Sequence, residues 1–172
     1  ALAGAVLGVG LTRYSLPIPI ALVLCVSVGL FCGALNGVVV IRWNLPSFIV
    51  TLGMLEAARG AAYLLARSQT QYLGGTLDRL ATPVIMGLSL SFLIAVFFAV
   101  AAQIFLSYTA SGRHLFALGA NEETARLSGI ATRRLKLMVF TLTGLLSAVA
   151  APMYCARLSA ANPNDAQGYE LQ

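Results

Sequence analysis

The chain reads as an all-α polytopic transmembrane helix bundle, with four complete spans and part of a fifth. Three observations give that class. Hydrophobic residues make up 59% of the 172 residues and charged ones only 10%, with a mean hydropathy of +0.85. A soluble domain carries about 25% charged residues, so the solvent of this chain is mainly the lipid bilayer. The apolar residues also fall into runs near the 20 or so that cross a bilayer, separated by short polar breaks. Finally, the net charge of +5 is scattered at the ends of those runs, as the positive-inside rule places it, which argues against a nucleic-acid partner.

Residues 1–12 are expected to be the tail of one span, with Gly4 and Gly8 four residues apart. No basic n-region precedes ALAGAVLGVG, so no secretory signal is read. Residue 1 falls inside an apparent helix, and the chain reads as a fragment incomplete at both ends. Arg13 and Tyr14 mark an interface. Pro17 and Pro19 suit a first helical turn, where their missing N–H groups are not needed, and the second span runs from there to about Ile41. It carries Gly29, Gly33 and Gly37, small residues repeating on one face. Helices in lipid associate through close backbone approach, so this face is expected to be a packing seam. A flexible gate is the alternative reading.

Arg42, Trp43 and Asn44 are expected to form a tight turn at an interface. Pro46 and Ser47 start the third span, to about Ala66. Within it Glu56 and Arg59 stand at i,i+3, where they meet on one helix face. Charges at membrane depth are costly, about 2.5–3.5 kcal/mol each on insertion scales, so the pair should face protein or water. It reads as a bundle-facing structural pair, with a place on the solute pathway as the rival. Residues 67–82 form a polar connection containing Asp78 and Arg79. Thr82 as cap and Pro83 in the first turn are expected to open the fourth span, which ends near Tyr108. Thr132 is expected to cap a fifth span, from Arg133 to about Ala151, ended or kinked by Pro152. The tail carries the turn signal Asn162-Pro163-Asn164-Asp165. With no linker or low-complexity tract, residues 1–172 read as one domain.

The longest polar interruption, Ser111 to Lys136, lies between the fourth and fifth spans. It holds five of the eleven Lys and Arg residues, the only His and two of the six acids. Asn121 can cap a helix there. Glu122 and Glu123 then lie in the first turn, where the macrodipole favours anions. Arg126 follows, and Gly129 can close the helix in a left-handed conformation. The expectation is about two turns, from Glu122 to about Ser128, flanked by Gly119 and Gly129. A helix that short is marginal alone, so it is expected to be presented to a partner. Ala125 and Leu127 are the expected apolar anchors, inside a polar rim of Glu122, Glu123 and Arg126.

The runs GRHLFALGANEETARLSGI and TRRLKLMVFTLTGLLSAVAA resemble the permease subunits of ribose-type bacterial ABC sugar importers. The similarity extends upstream through GALNGVVVIRWNLPSFIVTLGMLEAARG and downstream through ARLSAANPNDAQGYEL, covering nearly the whole chain. The resemblance implies that residues 111–136 are a cytoplasmic coupling loop whose helix docks into an ABC ATPase subunit. It further implies a second permease subunit, a periplasmic sugar-binding protein, a multi-pass place in the inner membrane, and alternating access driven by the ATPase. The family's members are about twice this length. A cytoplasmic central loop also puts Arg42 inside, with Arg13, Arg67, Arg79 and Arg157 outside.

Other chemistries lack their residues. No P-loop is present, so this chain does not hydrolyse ATP itself. Glu56 has no second carboxylate close in sequence, and His114 lies in the polar stretch rather than at membrane depth, so no intramembrane enzyme is read. Cys25, Cys32 and Cys155 show no metal-site spacing and read as packing residues. No metal or cofactor is expected. A secondary transporter or channel could use Glu56 and Arg59, and stays open as the alternative, but has no need of a capped docking helix.

Overall fold

In the computed structural model, residues 1–67, 69–72, 83–85 and 88–161 are described. Their helices are α1 (Leu2–Thr12), α2 (Ile18–Trp43), α3 (Ser47–Ala66), α4 (Leu90–Tyr108), α5 (Ala110–Ala120), α6 (Glu122–Leu127) and α7 (Thr132–Leu158). Four of them, α2, α3, α4 and α7, are long and apolar enough to cross a membrane, and α1 is a shorter apolar helix. The fold is the all-α membrane bundle expected, with four helices of spanning length and one shorter apolar helix among the described residues. Among the described residues, strand pairing is confined to two small antiparallel pairs. Gln71–Tyr72 pairs with Ala160–Ala161, and Pro83–Ile85 pairs with Leu88–Ser89. The predicted turn at Asn162–Asp165 and the polar residues Asp78 and Arg79 lie outside the described residues.

The central contact is α2 against α7. A methyl group built on Gly29 would lie 2.6 Å from the Gly144 carbonyl oxygen and would collide with Ala148. On Gly33 it would meet the Phe140 carbonyl, and on Gly37 it would lie 2.9 Å from Leu137 Cδ1. The same test on Gly144 finds the Gly33 Cα at 2.9 Å. The two backbones therefore touch at Gly29, Gly33 and Gly144, at a distance that only glycine permits, while Gly37 packs against the side chains of Leu137 and Phe140. With lipid tails as apolar as leucine, this close approach supplies the dispersion and dipole contacts that hold the helices together. A small apolar cluster of Leu7, Ala21, Cys25, Cys155 and Ala156 continues the contact toward α1.

Pro152 neither ends nor interrupts α7, which runs on to Leu158. This corrects the expected end near Ala151. Proline cannot donate to the carbonyl four residues earlier, which here belongs to Ala148. The Cys25 thiol donates to that carbonyl at 3.5 Å, so the freed acceptor finds a partner across the seam, as backbone at membrane depth requires. Cys25 is thus a hydrogen-bond donor as well as a packing residue.

Two helix starts also differ from the sequence reading. The fourth span begins at Leu90 rather than Pro83. Ser89 caps it, its hydroxyl accepting from the Phe92 N–H at 3.3 Å, while Pro83–Ile85 is extended. The fifth span starts after Ala131, which offers no side-chain cap. Thr132 lies inside the helix and is buried. Asn44 turns the chain between α2 and α3 with φ +48°, a left-handed conformation that asparagine tolerates better than most residues.

The charged ends sort by side. Arg42, Arg133 and Arg134 line one pocket of about 310 Å³. Arg13 and Arg67 line another, at the far end of an α2 helix about 39 Å long at 1.5 Å per residue. By the test of space, Gly33→Val should lower the stability of the purified protein by ~1–3 kcal/mol or more. Gly53, with nothing within 4 Å of an added methyl, should accept alanine without loss. Thermal unfolding in detergent, read as midpoint shifts, checks both. Equal tolerance at the two positions would contradict the seam.

Candidate functional site

The segment between α4 and α7 is far more helical than its polarity suggests. One residue, Thr109, separates α4 from α5. Its hydroxyl donates to the Phe105 carbonyl at 2.6 Å and accepts from the Gly112 N–H at 3.0 Å, so it closes one helix and opens the next. Gly112 is required there, since a methyl on it would lie 2.6 Å from the Phe105 carbonyl oxygen. Helix α5 was not anticipated from the sequence. The signal for its start is Thr109, whose side chain can accept from the backbone three residues on.

Helix α6 spans Glu122–Leu127, and its caps follow the residues expected. Asn121 is extended and its side-chain oxygen accepts from the Thr124 N–H at 3.0 Å. At the other end Gly129 takes φ +79°. Its N–H donates to the Arg126 carbonyl at 3.0 Å and the Ile130 N–H to the Ala125 carbonyl at 3.1 Å. This double bond pattern closes a helix with a left-handed glycine. Gly119 plays no such part. It lies within α5 with open space around it, and the entry turn is made by Asn121 instead.

The side chains of α6 divide into two faces. Ala125 is only 4% exposed and Leu127 is 80% exposed. Ala125 is therefore not an anchor offered to a partner, a correction that follows from its burial within this chain. Leu127 remains as the outward apolar residue. Glu123 pairs with Arg126 at 2.6 Å within the helix. Glu122 instead reaches Lys136 on α7, with Nζ to Oε1 at 2.5 Å. It is tied to the next span rather than standing in a free rim. Lys136 was missed as a site residue, because its partner lies fourteen positions away and no helical spacing links them.

At membrane depth Glu56 and Arg59 form the expected i,i+3 ion pair at 3.0 Å. Arg59 is largely covered and Glu56 is open to the outside of the described bundle. A cleft of about 340 Å³ lies between α2, α3 and α7, with Cys32, Asn36, Thr51, Thr143 and Ser147 on its walls. The Asn36 Oδ1 is buried there without a hydrogen-bond partner among the described residues. Within those residues no group of three or more His, Cys, Asp or Glu side chains is placed to hold a metal ion.

Four helices long and apolar enough to span a membrane, a glycine-locked helix pair and a capped helix standing outside the apolar segments mark a polytopic membrane protein. The chain belongs to the family described as the branched-chain amino acid transport system / permease component, whose model matches residues 1–172. It is 34% identical over 166 residues to the ribose import permease protein of Escherichia coli K12, covering 88% of this chain and 49% of that one. It is 31% identical over 167 residues to the autoinducer 2 import system permease protein of Enterobacter sp. strain 638, covering 96% and 48%. A fructose import permease protein of Rhizobium meliloti is 28% identical over 179 residues, covering 96% and 49%. The chain spans about half the length of these relatives. No solved structure matches it.

Two measurements test this geometry. Asn121→Ala removes the cap of α6, at a cost of about 1 kcal/mol. Amide exchange across residues 122–128 should then quicken about fivefold, with the spans unchanged; unaltered exchange would mean the cap does not hold the helix. For the ion pair, Arg59→Leu alone should reduce folded yield more than Glu56→Leu and Arg59→Leu together, since a charge left without its partner is the costly state. If the double change abolishes transport while assembly stays normal, the pair belongs to the solute pathway.

Proposed function

We propose that this chain is the membrane-spanning part of a permease subunit of an ATP-driven importer in the bacterial inner membrane. Its cargo on this reading is a monosaccharide, a ribose-like pentose or a related sugar. The observation that carries the proposal is the match of the whole chain to a permease-component family. The solute class rests on relatives whose names specify ribose, L-arabinose and fructose import. The family's description names branched-chain amino acids instead, and the named relatives at about 30% identity weigh more for the solute.

Such a subunit works with an ABC ATPase subunit, a periplasmic sugar-binding protein and a second permease, identical or related. The permease itself needs no cofactor and performs no chemistry. ATP-driven closure of the ATPase would move α6, and the spans would alternate between faces in response. A secondary transporter or channel is not favoured, because the relatives are named as permease proteins, several of import systems and two explicitly of ABC transporters.

Coupling through α6 is tested at its outward apolar residue. In the full-length permease, Leu127→Asp should abolish co-purification of the ATPase subunit and bring ATP-dependent uptake to background. The same change at Gln69, exposed at the opposite end of the spans, should leave both intact. Retention of ATPase and uptake by the Leu127 variant would remove α6 from the coupling path.

A further inference from the structure

The two ion pairs of α6 differ in kind. Glu123–Arg126 joins two residues of the same helix, both well exposed, and can only stiffen that helix. Glu122–Lys136 joins the first turn of α6 to the second turn of α7. Between them lie the glycine closure at Gly129 and a tight turn in which the Thr132 N–H donates to the Ile130 carbonyl at 2.8 Å. Ala125, Thr132 and Leu135 are buried around the same corner. Resting on the reading of α6 as the docking element, we propose that Glu122 and Lys136 are positioning residues. Their ion pair acts as a strut fixing the docking helix to the fifth span, so that motion of one becomes motion of the other.

The geometry supports this in three ways. A helix of six residues has no independent stability, so its orientation is set by what ties it to its surroundings. The backbone link from Leu127 to Thr132 contains a glycine in the left-handed region, a position with the freedom to hinge. A hinge alone transmits a pull and no twist or push. A second attachment on the far end of α6 converts the hinge into a triangle, and Glu122 lies five residues before Leu127. Beyond Lys136, α7 is locked to α2 through Gly144 and Gly33. Displacement delivered at Lys136 thus reaches two spans as one body.

Because both side chains are partly exposed, the pair contributes little to global stability. Its effect is on registration, where a modest bias between orientations decides how much of each ATPase stroke reaches the spans. This predicts uncoupling rather than unfolding.

The test uses the full-length permease reconstituted with its ATPase and a sugar-binding protein in vesicles, with ribose as the probe. Sugar uptake and ATP hydrolysis are measured together. Glu122→Lys and Lys136→Glu should each lower ribose imported per ATP about three- to fivefold, the range set by a partly exposed ion pair. The ATPase should still co-purify. The swapped double variant, E122K with K136E, should regain most of the ratio. Gln69→Lys, a charge change on an exposed residue at the opposite end of the spans, should leave the ratio unchanged. Single variants that keep the normal ratio would overturn the strut, as would a double variant no better than the singles. Loss of ATPase co-purification in E122K would also overturn it, by placing Glu122 on the partner-facing surface. If the wild-type protein fails to bind an ATPase at all, the importer assignment itself is at fault.

Discussion

Everything in this bundle hangs on the approach of two backbones, α2 and α7, through Gly29, Gly33, Gly37 and Gly144. In water, burial of large side chains would drive the same helices together. In lipid that driving force is absent, because a leucine loses nothing by facing an acyl chain. The buried set reflects this. It is dominated by alanine, glycine and cysteine, while Phe31, Phe48, Leu64 and Phe97 point outward. Area-based hydrophobic reasoning would call such a protein inside out. Contact distance is the relevant quantity here, and it is set by the absence of a Cβ at particular positions.

The same solvent governs the polar groups. A backbone carbonyl released by Pro152 would be hydrated on a soluble helix, but at this depth it takes the Cys25 thiol from the facing helix. Thr141 and Thr143 return their hydroxyls to carbonyls four residues earlier, those of Leu137 and Val139. Against that background the unpaired Asn36 oxygen and the open side of Glu56 stand out. They are the places where the described residues leave polar chemistry to be met by water, solute or protein.

What was legible in the sequence follows from the range of the forces involved. Hydropathy and length located the spans. The cap of α6 was readable because Asn121, Glu122, Glu123 and Gly129 act on their own neighbours, within one turn. The glycine repeat identified one face of the seam, though its partner face around Phe140 and Gly144 is set by tertiary packing. Besides α5 and Lys136, three further features escaped for identifiable reasons. Pro152 looked like a terminator, since its rescue comes from Cys25, 123 positions before the Ala148 carbonyl that the proline frees. The start of α4 was misplaced because Thr82-Pro83 and Ser89 are both respectable caps, and local propensity does not choose between them. Ala125 and Leu127 looked equivalent as apolar residues on a short helix, and only the corner formed with α7 separates them.

That corner is where local and non-local order meet. Helix α6 is built entirely from short-range devices, the asparagine cap, the left-handed glycine and the internal Glu123–Arg126 pair, so its shape survives changes in its surroundings. Its position depends on different contacts, the burial of Ala125 and the reach of Glu122 to Lys136. A part of fixed shape and adjustable position is what a moving joint requires. If α6 were embedded in the bundle, a force from outside could not move it without breaking the seam. If it were tethered only by loops, the force would be lost in the tether. The arrangement between those extremes places the glycine seam directly downstream of a short, largely exposed helix, with one ion pair and one glycine turn spanning the gap.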